Sequence, residues 1–354
     1  MIEGHGDDIY YYGALRCNFS SNISPLIDTS ELRKHLAERL EVINHYPEPS
    51  AHSLEVLLAN EYHIQPDEVL VTNGATDAIY LIAQTLRNER TFAVKRPTFS
   101  EYADACRMYG YEEAPKGGAV RWLCNPNNPT GELRTTDTVK VLSRCHHWLI
   151  IDQSYEDYTW APLLSAKTAI DMQNVIVIHS MTKRFAIPGL RLGYIIAPSA
   201  VIDRLRANYR PWAVNALAIE AGHWLLEDEG EHHSSEGEHH SSEGEHHSSE
   251  EPCFREKMEL LLAQTRYLRE RLCNIFGIHV YPTSTNFMLC SIQQSTAAEL
   301  KEYLLTNHGF LIRDATNFEG LKDCHFRIAT QLPEFNDELV EAIKTFVYKV
   351  KRNA

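Results

Sequence analysis

Three things are scarce in this 354-residue sequence, and each scarcity removes a class of function. No two of the eight cysteines stand as C-x-x-C, and their scatter fits reduced, mostly buried thiols better than a structural zinc site or a disulfide framework. No apolar run approaches the roughly 20 residues needed to span a bilayer. The opening MIEGHGDD is acidic with no apolar stretch behind it, so no signal peptide is expected and the protein is read as cytoplasmic. The N-x-S/T triplets at Asn18 and Asn22 then read as accidental. Positive charge is also short, with Lys+Arg 34 against Asp+Glu 48 and a net charge of -14. Residues 227 to 251 hold ten acids and no Lys or Arg, which leaves only -4 for the rest of the chain. Neither a nucleic-acid partner nor a membrane is expected.

The 44% hydrophobic content is enough for one large or two ordinary domains with a sizeable core. Short apolar runs recur between helix-length amphipathic stretches: VLVTN at 69–73, TFAVK at 91–95, WLIID at 148–152, NVIVIH at 174–179 and LGYIIA at 192–197. Runs apolar at every position predict parallel strands buried on both faces and joined by crossover helices, an α/β arrangement. From about residue 254 a long charged amphipathic helix leads into NFMLCSI, a further helix, FLIRDA, HFRIAT and a closing helix, which predicts a smaller α+β layer. The expected organisation is 1–42 as the N-terminal part of the small domain, 43–226 as the large domain, 227–252 as an insertion and 253–354 as the C-terminal small domain. The insertion contains EGEHHSS three times in tandem, from Glu229 to Ser249. It has too little apolar surface to offset chain entropy and reads as a solvated segment. Its paired histidines could hold Zn, Ni or Cu loosely, but an inert insertion is the favoured reading and no metal site is assigned.

The strongest chemical signal is HSMTKRFAIPGLRLGY, His179 to Tyr194, directly after a buried-type strand. Lysines are mostly solvated, but Lys183 follows two hydroxyls, Ser180 and Thr182, and a Pro-Gly turn brings Arg191 back towards it. A desolvated lysine among cations gives up its proton more easily, the condition for Schiff-base formation with a carbonyl. The hydroxyls and Arg191 suit a phosphate close by. Upstream, the free N–H groups of Gly74, Ala75 and Thr76 open a helix and point at an anion. Asn128 lies between turn prolines after a strand. Asp152 ends another strand, with Tyr155 three residues on. All these groups fall at the ends of predicted strands, where open α/β sheets place ligands.

Taken together, NGAT, PTF, NPNNPTG, D-x-x-Y and S-x-TK-x-x-x-x-x-GLR resemble the pyridoxal-phosphate enzymes of aminotransferase class I/II, fold type I, over nearly the whole chain except the insertion. The resemblance implies a large domain with a mostly parallel central sheet and a smaller domain built from both termini. It implies that Lys183 carries pyridoxal 5'-phosphate and shuttles a proton, and that Asp152 keeps the ring nitrogen protonated. Asn128 and Tyr155 would donate to the ring's phenolic oxygen, and Phe99 would stack on the ring. The backbone of Ala75, the side of Thr76, Ser180, Thr182 and Arg191 would take the cofactor phosphate. Tyr46 matches a tyrosine that reaches the neighbouring subunit's phosphate, which implies a homodimer with shared active sites. At Gln153 and Ser154 the sequence departs from the usual D-E-A-Y, and neither residue is expected to touch the cofactor.

Two branches of the family compete, both acting on small phosphorylated amino acids or amino alcohols. His5-Gly6, the FSSNISP run with Asn22, the TKRFAIPGLRLGY form and LIRDATNFEGL around Arg313 look like L-threonine O-3-phosphate decarboxylase. Such an enzyme forms (R)-1-amino-2-propanol O-2-phosphate, a building block of the cobalamin side arm. The alternative is a histidinol-phosphate aminotransferase using 2-oxoglutarate. By the resemblance His5, Gly6, Asn22, Asn128, Arg313 and Arg327 contact the substrate, the two arginines supplying charge for its phosphate and carboxylate. A non-catalytic cofactor- or metal-binding protein is a third reading, and the complete set of Lys183, Asp152, Asn128 and Arg191 argues against it.

Overall fold

The computed structural model describes residues 9–234 and 253–353; of residues 228–234 and 353 only the backbone is described. His5, Gly6 and most of the histidine-rich repeat therefore lie outside the described residues. A single 3-10 turn (Ile9–Tyr11) precedes the first strand, β1 (Cys17–Asn18). Seven strands then build one sheet: β2 (Val69–Thr72), β3 (Thr91–Ala93), β4 (Glu112–Glu113), β5 (Val120–Cys124), β6 (Trp148–Asp152), β7 (Val175–Ser180) and β8 (Gly193–Ile196), in the order β2-β8-β7-β6-β5-β3-β4. Neighbours from β7 to β4 run parallel, as the continuous apolar runs predict. The run around β8 departs from that expectation, because it pairs antiparallel with both β7 and β2. A short turn, not a crossover helix, separates it from the lysine segment, so the chain can only double back.

Alternation along each strand explains the two-faced burial. Ile176 and Ile178 join Leu70, Ile150 and Trp122 on one face, beneath the helices Gly74–Thr85 and Glu101–Met108. Val175 and Val177 join Leu149 and Ile151 on the other. Each such fully buried side chain stabilises the fold by about 1.5–3 kcal/mol relative to exposure. Five strands complete the smaller layer: β9 (Ile278–Val280), β10 (Phe287–Ile292), β11 (Phe310–Leu311), β12 (Arg313–Asp314) and β13 (His325–Ala329). β12, β13, β10 and β9 form an antiparallel sheet in that order, while β11 pairs in parallel with β1 and so ties the N-terminal segment to the C-terminal part. Helix Ala297–His308 is capped by Thr296 and Glu299 and stopped by Gly309 at φ 68°, which turns the chain straight into β11.

The eight cysteines are free thiols; four are buried, fewer than the sequence suggested. Among the described residues no helix is long and apolar enough to cross a membrane, and no cluster of His, Cys, Asp and Glu forms a metal site.

One buried charge ties the helix His52–Tyr62 to the sheet. Glu55 is fully buried and takes Arg206 Nη2 at 2.7 Å, while the backbone N–H of Val71 donates to its other oxygen at 3.3 Å. A buried carboxylate stripped of its cation is costly. Arg206→Ala should therefore lower the unfolding free energy by about 3 kcal/mol in chemical denaturation, a loss well above that of an ordinary surface arginine.

Candidate active site

Parallel strands all end at the same edge of a sheet, and there a cavity of about 630 Å³ opens between the two layers. From the large layer, Ala75, Thr76, Phe99 and Asn128 line it, together with Asp152, Tyr155, Ser180, Thr182, Lys183 and Arg191. From the other side Asn22, Arg313 and Arg327 close it. Arg191 reaches this edge because β8 is antiparallel and begins where its neighbours end. Gly74 lies just behind the wall. Its φ is +81°, and a Cβ there would stand 2.7 Å from Arg191 Nη2, so only glycine lets the guanidinium cross the start of the helix.

Asp152 is only 5% exposed. Its Oδ2 accepts the Tyr102 hydroxyl at 2.7 Å, and its Oδ1 accepts the Ser154 backbone N–H at 2.9 Å. Tyr102 is itself immobilised, stacked on Trp122 at 5.4 Å and met edge-on by Phe99 at 5.7 Å. Burial and the Asp152 charge push its phenol well above the usual range, so it serves as a hydrogen-bond donor throughout neutral pH. Tyr155 is likewise pushed up to about 12 by burial, with Arg327 and the hydrogen bond from Asn22 Nδ2, at 3.2 Å, pulling the other way. Lys183 Nζ stands 5.8 Å from the centre of the Tyr155 ring, and its carbonyl is fixed by the Tyr158 hydroxyl at 2.6 Å.

Arg313 and Arg327 are register partners on β12 and β13, both nearly buried. Arg327 donates to Asn128 Oδ1 and to the Ser20 carbonyl, each at 2.6 Å, which bridges the two layers across the cavity. Tyr46 stands apart, 86% exposed beside Trp212 and outside the cavity of its own chain.

Several cavity residues escaped the sequence reading. Tyr102 lies one turn beyond Phe99, and its alignment with Asp152 depends on how that helix meets β6. Tyr10 comes from a segment with no motif of its own, and Asn317 and Phe318 stand in the LIRDATNFEGL run around Arg313, where neither was given a role. Ser154 also lines the cavity, and its buried Oγ has no hydrogen-bond partner among the described residues.

The chain belongs to the family of aminotransferases of class I and II, whose model matches residues 17–115 and 109–343. It is similar to the L-threonine-O-3-phosphate decarboxylase structure from Porphyromonas gingivalis, with 35% identity and a TM-score of 0.82 over 94% of this chain and 99% of that one. It is 28% identical to the threonine-phosphate decarboxylase of Salmonella typhimurium, over 92% of this chain and 90% of the relative. It is also 25% identical to a histidinol-phosphate aminotransferase of Thermoanaerobacter sp. strain X514, over 93% and 92% of the two chains.

The cofactor of this enzyme family is pyridoxal 5'-phosphate. The cavity fits it on its own chemistry. Thr182 Oγ1, buried and without a partner, lines the cavity together with the helix start at Ala75 and Thr76, Ser180 and Arg191, a donor set suited to a phosphate. An amine and a locked carboxylate share the same space. Borohydride treatment of the holoprotein should fix the cofactor to the peptide carrying Lys183, and Lys183→Ala should leave it fully extractable, as read by mass spectrometry of the digest.

Behind the lysine segment His179 stacks on Tyr194 at 4.8 Å, and its Nδ1 lies 2.6 Å from Glu156 Oε1. Burial pushes the Glu156 carboxyl up, but His179, Arg184 and the hydrogen bond from Gln153 outweigh it and hold it below the usual carboxylate range. A carboxylate depressed in the folded state stabilises above its unfolded pKa, about 4.3, and that contribution disappears as pH falls through the lower folded value. Glu156→Gln should therefore flatten the acid limb of a stability-against-pH curve below about pH 5.

Proposed function

We propose that the protein decarboxylates L-threonine O-3-phosphate to (R)-1-amino-2-propanol O-2-phosphate, in the supply of the cobalamin side arm. The observation that carries this reading is the pair Arg313 and Arg327, side by side on adjacent strands and both facing the cavity that holds Lys183. Two buried guanidinium groups suit a substrate with two anionic ends, a carboxylate and a phosphate. The likeness to a decarboxylase at 35% identity supports the same choice.

Pyridoxal phosphate, when bound, supplies an electron sink for whichever bond at the substrate's α-carbon is broken. The chain's own residues do the rest. Asp152, oriented by Tyr102 and by the Ser154 amide, would keep a proton on the cofactor's ring nitrogen. Tyr155, kept protonated by burial, and Asn128 donate to the ring's phenolic oxygen. Arg327, braced by Asn128 and Ser20, holds the substrate carboxylate, and Arg313 takes the phosphate. Held at both ends, the substrate has one bond at its α-carbon aligned for cleavage, and alignment selects the reaction. Lys183 Nζ, in the same cavity, would be the group placed to give the α-carbon a proton in place of the lost CO2.

A homodimer accords with the surface around Tyr46. Leu40, Ile43 and Trp212 are also exposed on this region of the chain, an apolar group that a second copy would cover while Tyr46 reached the partner's cofactor phosphate.

The second reading, which the relative at 25% identity favours, is histidinol phosphate, which offers the pair only a phosphate and leaves the carboxylate contact to 2-oxoglutarate in the other half-reaction. Incubation with L-threonine O-3-phosphate alone should release CO2 in amounts matching the amine formed. Glutamate formation from histidinol phosphate and 2-oxoglutarate, without CO2 from threonine phosphate, would assign the aminotransferase activity instead.

A further inference from the structure

The two cavity arginines are held in different ways. Arg327 is gripped from two sides, by Asn128 Oδ1 and the Ser20 carbonyl. Arg313 donates through Nη2 to Asn317 Oδ1 at 2.7 Å, and its guanidinium carbon stands 5.4 Å from the centre of the Phe318 ring. Asn317 and Phe318 both line the cavity. We propose that Asn317 is a positioning residue that aims Arg313 at the substrate's phosphate, and that the turn over residues 314–321 is built to keep it there. The proposal rests on the reading above in which Arg313 is the phosphate anchor.

The turn is closely braced for its length. The Thr316 N–H donates to Asp314 Oδ1 at 2.9 Å, and the N–H groups of Phe318 and Leu321 donate to the carbonyls of Ala315 and Phe318 at 3.0 Å each. Phe318 is buried against Leu289 and Ala315. Glu319 then reaches the large layer, where its Oε2 lies 2.7 Å from Arg96 Nε and 3.6 Å from Arg107 Nη2. Gly320, at φ +97°, lets the chain leave this anchor. Asn317 is thus preceded by the Thr316–Asp314 bond and followed by a buried ring and an ion pair across the two layers.

An amide suits this place better than a carboxylate. Asn317 Oδ1 accepts the guanidinium hydrogen bond but adds no charge to compete with an incoming phosphate. A free arginine side chain also loses about 2 kcal/mol of rotamer entropy when immobilised. Holding it before the substrate arrives removes part of that cost from binding.

The test compares Asn317→Ala and Asn317→Asp with the wild-type holoenzyme, using turnover of L-threonine O-3-phosphate and competitive inhibition by inorganic phosphate. Asn317→Ala should raise KM and the phosphate inhibition constant about tenfold, about 1.4 kcal/mol, with kcat at saturation changed less than about threefold. Asn317→Asp preserves shape and the hydrogen bond, yet should weaken phosphate at least as much, because its carboxylate competes for Arg313. Unaltered phosphate inhibition in both variants would overturn the proposal, as would an Asp variant that binds phosphate like the wild type. Should the enzyme prove to make glutamate and not CO2, the choice of reaction fails while the phosphate comparison still decides the part played by Asn317.

Discussion

A carboxylate taken out of water at the end of β6 is the constraint around which the site is arranged. Asp152 cannot remain there as an anion without donors, and the structure supplies one to each oxygen, a phenol from the helix after Phe99 and an amide from its own turn. The phenol stays a donor because it is buried against Trp122, and Trp122 is held in turn by the helix through Cys106 Sγ. The orientation of this carboxylate at the cavity wall thus depends on the packing of one face of the sheet.

The second layer brings the opposite charge. Its antiparallel register sets Arg313 beside Arg327, and the bond from Arg327 to Asn128 carries one layer to the other. Two buried like charges facing one cavity from adjacent strands favour an anionic ligand. The cavity therefore takes Arg313 and Arg327 from one layer and Lys183, Asp152, Ser180, Thr182 and Arg191 from the other. The relative placement of the layers sets how a substrate held between them would be aligned.

Between the lysine and the opposite sheet face lies a polar group that makes no contact with the cavity: His179, Glu156, Tyr62 and Tyr194, with the two phenols 2.7 Å apart. Desolvation pushes both phenols up, and Glu156 is held ionised by its cationic neighbours. Such a network fixes the strand that ends at Ser180, from which the short helix with Lys183 starts.

Much of this was legible in the residues themselves. Apolar runs marked five of the strands, since burial on both faces leaves no alternation to confuse with a helix. Lys183, Asp152, Asn128, Arg191 and the Gly74 turn were visible because each follows or precedes such a run. Short-range signals did not reach the direction of β8, which is set by a brief turn, nor the Ser154 hydroxyl in the cavity wall. They also missed Tyr102, whose value lies in meeting Asp152 from 50 positions away. The amino-acid order by itself determined which segments bury and which chemical groups stand at their ends, because hydrophobic period and turn residues act locally. Only the tertiary structure decided which of those groups meet, because the partners of Asp152, Asn128 and Arg313 arise from strand order, register and the apposition of two layers, distances over which local sequence exerts no force.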